Sequence, residues 1–290
     1  DNTLEAFYHA YHVDPNVMME MDVSLTKDGV IILSHDTTLD RKTSLRYARI
    51  IEINYADLMR DGVDFGYHNP VYPSSNGFNV SGDLHPYQNY LGARVTPLDV
   101  TYPEGVFPRH ETAFLATTLE ELITAFPNNR INIEIKQDGE VGLDALMKTI
   151  ELFDRIDPTK EIYARVVLAS FHPEIYDAFI TLKKTTHPML SFSPQQKGVA
   201  TFYILQSLGL SYFYREPVAV LQIPTQFSVF QLTSRALIST AQKHNIAVHY
   251  WTIDDGDVMR DLVARGADGI MTNRPSVLKR ILDEHESNLS

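Results

Sequence analysis

Residues 18–36 read Met18-Met-Glu20-Met-Asp22-Val-Ser-Leu-Thr26-Lys-Asp28-Gly29-Val30-Ile-Ile-Leu-Ser-His35-Asp36. The first part alternates with the period of a strand. Glu20 and Asp22 therefore share one face, and Met19, Met21 and Val23 share the other. Lys27-Asp28-Gly29 is a hairpin-turn signal between this strand (18–25) and a second one (30–34). Far downstream, Ile131-Asn132-Ile-Glu134-Ile-Lys136 repeats the arrangement, with Glu134 and Lys136 on one face. Three carboxylates converging on one point repel unless a divalent cation lies between them. A metal-assisted enzyme is the first hypothesis.

Further strands are predicted at 166–170, 189–193, 219–223, 247–252 and 269–272. Most are apolar and β-branched, as in strands buried on both faces. Helical stretches separate them. Thr118-Leu-Glu-Glu121 is a capping box that opens a helix at 118–126. Leu143, Leu146, Met147, Ile150 and Phe153 form an apolar stripe at helical spacing. Ser234 caps 235–244, a helix at 255–265 ends at Gly266, and Pro275 fits the first turn of the last helix. Asn2-Thr-Leu-Glu5 opens a helix with Asn2 as its cap.

Strand alternating with helix over this length predicts an α/β fold, a (β/α)8 TIM barrel, as one domain over residues 1–290. If 30–34 is an accessory arm, the parallel strands begin near 18, 131, 166, 189, 219, 247 and 269. A closed barrel of this class has one more. The helix ahead of the first visible strand suggests that its partner strand lies upstream of residue 1, or is supplied in some other way. Residues 53–117 break the pattern with Pro70, Pro73, Pro86, Pro97, Pro103 and Pro108 and many Tyr, Asn and Gly. So long a connection after the second strand is expected to form a lid or substrate-shaping insertion.

The formal charge of -12 gives the chain no general electrostatic reason to bind nucleic acid or an anionic membrane. An anionic substrate would need a metal ion or a few placed cations. The absence of Cys excludes disulfides, thiolate catalysis and zinc-thiolate sites. No run of 18 apolar residues suggests a spanning helix. The chain starts at Asp1 without Met, and no signal peptide is visible. An exported or periplasmic location is favoured over a cytoplasmic one. The oligomeric state is not legible.

Asn2-Thr3-Leu4-Glu5-Ala6-Phe7 resembles the end of the PENT-x-x-AF motif of glycerophosphodiester phosphodiesterases. Glu20-Met-Asp22-Val23, Thr26-x-Asp28-Gly29-Val30 and His35-Asp36 resemble the next block of that family in order and spacing. Asn132-Ile-Glu134-Ile-Lys136 is similar to the third block. Trp251-Thr-Ile253, Gly266-Ala-Asp-Gly-Ile270 and Thr272-Asn273-x-Pro275 are similar to the C-terminal blocks. The resemblance covers nearly the whole chain outside 53–117.

It implies a (β/α)8 barrel that hydrolyses glycerophosphodiesters to glycerol 3-phosphate and an alcohol with one divalent cation, commonly Mg2+ or Ca2+. It implies Glu20, Asp22 and Glu134 as metal ligands and His35 as one of two catalytic histidines, the general acid. Lys136 would hold the phosphate, and Trp251 would line the glycerol end of the pocket. Two departures stand out. The family's His-Arg-Gly motif, with the other catalytic histidine, is absent, and it would belong to the strand expected upstream. Asp1 stands where the motif has Glu.

Gln222, polar near the C-terminal end of a predicted strand, is a candidate substrate contact. His172, His187, His244 and His249 read as surface or core residues. Lysophospholipids are the alternative substrate class, with Phe65, Tyr67, Tyr72, Phe78, Tyr87, Tyr90 and Leu91 available for an acyl groove. A barrel that binds phosphodiesters without turnover is a second alternative. A Mg2+-dependent enolising barrel ranks below both, because the later strands carry no catalytic Lys.

Overall fold

The computed structural model describes residues 2–39, 48–60, 63–66 and 95–289. These fall into two compact units, residues 1–160 and 161–290.

The first unit contains α1 (Leu4–Val13), β1 (Met19–Leu25), β2 (Ile31–Leu33), the short α2 (Tyr55–Leu58), α3 (Leu119–Ala125), β3 (Ile131–Ile135) and α4 (Gly139–Ile156). β1 and β2 form the expected antiparallel hairpin, with Val23 opposite Leu33 and Leu25 opposite Ile31. Its turn closes through Thr26, whose backbone N–H donates to the Val30 carbonyl and whose hydroxyl accepts from the Val30 N–H. Gly29 supplies the left-handed φ of 81° that the turn requires. On its other edge β1 pairs in parallel with β3, and Asp22 lies directly opposite Glu134.

The faces of this pair divide as the alternation demands. Met21, Val23, Ile131, Ile133 and Ile135 are fully buried, each worth about 1.5–3 kcal/mol on transfer from water. Helix α4 packs on β1 and buries Ala145, Leu146, Thr149, Ile150 and Phe153. Met147, expected in that stripe, is 44% exposed instead. It follows Leu146 by one residue, roughly 100° round the helix, and so leaves the packed face.

The described ends of the 53–117 stretch do not hang loose. Leu58, Val63, Phe65 and Ala116 join Ile32, Leu39 and Ile50 in a second small core. Phe65 is therefore committed to packing rather than to an acyl groove. Tyr67, Tyr72, Phe78, Tyr87, Tyr90 and Leu91 lie outside the described residues, and so does Asp1.

Arg109 ties the end of this stretch down. Its guanidinium donates to the carbonyls of Leu115 and Ala116 and to the Thr117 hydroxyl. It also pairs with Glu121 at 3.3 Å and stands 3.6 Å from the buried carboxylate of Glu5. Thr117 in turn accepts from the Leu4 N–H and, through its carbonyl, from the Leu33 N–H. One guanidinium thus joins α1, α3 and the strand that leads to His35.

The second unit runs β4 (Val166–Ala169), α5 (Pro173–Thr185), β5 (Ser191–Phe192), α6 (Gln196–Ser207), β6 (Val220–Ile223), β7 (Gln226–Phe227), β8 (Phe230–Gln231), α7 (Arg235–Lys243), β9 (Ala247–Tyr250), α8 (Gly256–Arg265), β10 (Gly269–Ile270) and α9 (Pro275–Leu289). β4 pairs in parallel with β5, and β6, β9 and β10 pair in parallel with one another. The Ala219 N–H donates to the Phe192 carbonyl at 3.1 Å and joins β5 to the start of β6.

The caps predicted at Thr118, Ser234 and Gly266 hold. Ser234 accepts from Leu237, Thr118 and Glu121 form the capping box, and Gly266 ends α8 at a φ of 89°. The strand expected at 189–193 shortens to two residues: at its start the Leu190 N–H turns back to the His187 carbonyl, and past its end Pro194 has no N–H to extend the ladder. The hairpin of β7 and β8 had no counterpart in the sequence reading.

Candidate functional site

The parallel register of β1 and β3 decides the site. With Asp22 opposite Glu134 and Glu20 opposite Asn132, residues 20, 22, 132 and 134 share one face. On that face one oxygen from each of Glu20, Asp22 and Glu134 lies within 4.8 Å of the others. It is the one such cluster among the described residues. Asp22 is buried and Glu134 half-buried, while Glu20 keeps its outer edge open to solvent.

Lys136, two residues past Glu134, reaches the same point. Its ammonium lies 3.0 Å from Asp22 Oδ1 and 2.8 Å from Glu134 Oε1. Together Asp22 and Glu134 hold its pKa above the usual lysine value against the opposing effect of burial. The Glu20 carboxyl is pushed well above the ordinary carboxylate range, first by desolvation and then by the charges of Asp22 and Glu134. Glu134 is raised too, mainly by desolvation, although Lys136 and His35 pull the other way. One ammonium does not balance three crowded carboxylates. The set consists of hard oxygen donors, and it fits Mg2+ or Ca2+.

His35 follows β2 and is half exposed. Its Nδ1 lies 2.9 Å from the Asp36 carboxylate, and the preceding Ser34 N–H donates to the Asp22 carbonyl at 2.9 Å. The structure thus brings Glu20, Asp22, Glu134 and Lys136 together in the first unit, with His35 at the end of the neighbouring strand. Gln222 and Trp251 belong to the second. Gln222 is half-buried on β6 opposite His249. Trp251 follows β9, donates its backbone N–H to the Ile223 carbonyl, and meets the Phe171 ring edge-on at 6.1 Å. Of the other histidines, His187 is buried against Tyr163, and His244 bonds the Ser211 hydroxyl.

Asn2 requires a correction. It does not cap α1. Thr3 does, accepting from the Ala6 N–H. Asn2 instead sits at a φ of 60° and turns its carboxamide onto Asp22. The amide nitrogen donates to Asp22 Oδ2 at 2.8 Å, and the amide oxygen accepts from the Asp22 N–H at 3.0 Å. A two-point clamp of this kind fixes the rotamer of a ligand candidate. Asn2→Ala is expected to lower metal affinity or turnover by about 10- to 100-fold. The helix cap should survive, so the melting temperature should move little. Metal titration beside thermal unfolding reads both.

Comparison with known proteins gives the family of the chain. The sequence profile of the Glycerophosphoryl diester phosphodiesterase family matches residues 1–277. Lysophospholipase D GDPD3 of Homo sapiens is 22% identical over 98% of this chain and 81% of its own length. The solved glycerophosphodiester phosphodiesterase of Agrobacterium tumefaciens aligns with a TM-score of 0.60 at 16% identity, covering 96% of this chain and 93% of its own. A phosphodiesterase of Oleispira antarctica, solved in complex with sn-glycerol-3-phosphate, aligns at 0.59 and 17% identity over 96% and 90%. The family and these likenesses give the chain the (β/α)8 TIM-barrel fold that its alternation of strand and helix predicts. The chain belongs to the glycerophosphoryl diester phosphodiesterase family and is an enzyme of that class.

Proposed function

We propose that this chain hydrolyses glycerophosphodiesters to glycerol 3-phosphate and an alcohol, with one divalent cation, Mg2+ or Ca2+. The observation that carries this reading is the meeting of Glu20, Asp22 and Glu134 within 4.8 Å beside Lys136. A phosphodiester is anionic and repels nucleophiles. A bound ion would neutralise charge developing on the phosphoryl oxygens and activate the attacking hydroxyl. Glu20, Asp22 and Glu134 hold it, and the Asn2 clamp keeps Asp22 aimed inward.

Lys136 stands ready to pair a non-bridging phosphate oxygen as a point charge. Imidazole suits proton transfer near neutral pH, and His35 is assigned to protonate the leaving alcohol oxygen as its bond to phosphorus breaks. The attacking hydroxyl is that of water or the glycerol 2-hydroxyl, and its proton goes to a general base, which the family resemblance assigns to the histidine of the His-Arg-Gly motif. The second route passes through a cyclic phosphate that water then opens to glycerol 3-phosphate. Trp251 is assigned to the glycerol end of the pocket and Gln222 to a polar substrate contact. Residues 53–117 are assigned to shape the substrate entrance.

Lysophospholipids are the second reading. Its support is the human relative named lysophospholipase D, matched along nearly this whole chain. Both readings share one ion site and differ in whether an acyl chain is accommodated. Turnover of glycerophosphocholine and of lysophosphatidylcholine, each with Mg2+ and with Ca2+, separates them. Release of glycerol 3-phosphate from glycerophosphocholine is the expected result. Turnover of lysophosphatidylcholine alone moves the assignment to the second reading, and turnover of neither with either ion sinks both.

A further inference from the structure

Helix α6 carries apolar side chains outward at its C-terminal end. It buries Gly198 and Phe202 inward, yet its outer row Lys197, Thr201, Ile204, Leu208 leaves Ile204 56% and Leu208 66% exposed. A surface helix of a water-soluble protein normally turns a polar face outward. Two further apolar elements adjoin α6. The β7–β8 hairpin rests on it through the Tyr203 and Phe230 rings, 5.5 Å apart. That hairpin projects Phe227, Val229 and Phe230 at 55%, 81% and 50% exposure. Ser228 sits at its tip with a φ of 52°. Beyond the end of α6, the turn Ser211–Phe213 exposes Tyr212 and Phe213.

The charge around these elements reverses that of the chain. Residues 178–253 hold six Lys or Arg and a single acid, Glu216, in a protein whose net charge is -12. Glu216 is engaged with the Tyr176 hydroxyl. Three of the six cations stand at the apolar elements themselves. The Arg215 guanidinium bonds the carbonyls of Tyr212 and Tyr214. Lys243 is exposed and precedes His244, which bonds Ser211 in the same turn. Lys197 opens the exposed row of α6.

Exposed aromatic and aliphatic side chains on a tight hairpin and a turn, flanked by three cations and by one acid already engaged with Tyr176, are the chemistry of an interfacial anchor for anionic lipid. We infer that helix α6, the Ser211–Phe213 turn and the tip of the β7–β8 hairpin dock this protein on an anionic bilayer surface. The whole-chain charge of -12 does not oppose this, because fields are screened over about 10 Å at ordinary ionic strength and the local patch decides. The inference does not rest on the proposed reading of the carboxylate site.

Co-sedimentation of the full chain with vesicles of phosphatidylcholine, with and without phosphatidylglycerol, tests it. Binding to the anionic vesicles and weakening by salt are expected. The tip variant Phe227→Ser with Val229→Ser, and separately the turn variant Tyr212→Ser with Phe213→Ser, should each weaken the partition by at least about 10-fold. Lys197→Gln with Lys243→Gln should weaken binding to anionic vesicles alone, by about 10-fold. Turnover of a water-soluble diester should stay unchanged in all of them, which checks folding. No binding by the wild type at low salt overturns the inference, as does equal binding by the tip and turn variants. A dimer in sedimentation that the tip substitutions dissolve also overturns it, by assigning the patch to a second copy of the chain.

Discussion

Glu134→Gln is expected to cut turnover of glycerophosphocholine by at least about 100-fold, and a chelator should abolish it in the wild type. The substitution removes the charge of one of three clustered carboxylates and keeps its size and one acceptor oxygen. It also turns the charged 2.8 Å partner of Lys136 into a neutral one. Lys136 would then lean more on Asp22, at 3.0 Å, and compete with the ion for it. The loss should therefore fall on metal affinity as well as on rate. His35→Ala is the informative contrast. Loss of a general acid costs about 100- to 10,000-fold in rate, with the metal titration unchanged. If excess Mg2+ and Ca2+ both leave Glu134→Gln as active as wild type, Glu134 is not a ligand.

Arg109→Leu is expected to destabilise the fold by about 3 kcal/mol near neutral pH, toward the lower end of what breaking a buried ion pair costs. The guanidinium is 19% exposed and Glu5 only 2%, so the penalty comes from the carboxylate left behind. The carbonyls of Leu115 and Ala116 also lose their donor. Burial raises the Glu5 pKa above its ordinary 4.5, with Arg109 pulling it down. A raised folded-state pKa contributes stability that is fully present below 4.5 and is lost as pH rises through the folded value. Removing Arg109 lifts that pKa further, so the variant's deficit should shrink toward pH 4 and widen toward pH 7. Urea midpoints at both pH values measure this, and Glu5→Gln in the Arg109→Leu background should recover part of the loss. A deficit independent of pH would show that the packing of Arg109, rather than its charge, matters.

The site was legible where strand geometry alone fixes direction. Glu20, Asp22, Glu134 and Lys136 had to share faces once 18–25 and 131–136 were strands. Apolar neighbours on the opposite faces left no other choice. Thr118, Ser234 and Gly266 were legible because caps are local chemistry. Asn2 was misread because Asn and Thr are both good caps. Which of the two serves is settled by a carboxylate 20 positions away that claims the carboxamide. Arg109 left no signal, since a lone arginine in a Pro-rich stretch shows no period. Its partners Glu5 and Glu121 are distant in sequence. The β7–β8 hairpin was missed because Ser228-Val229 is a weak turn pair, and the left-handed φ of Ser228 is set by context.

The in-register ladder between β1 and β3 carries an evolutionary corollary. A single codon inserted within either strand would rotate every following side chain by half a turn. Oily residues would then face the substrate cleft, and acids would be driven into the packing layer beneath α4. Descendants of this gene can exchange apolar residues of similar volume in those strands' packed slots, but not change how many residues they count between them.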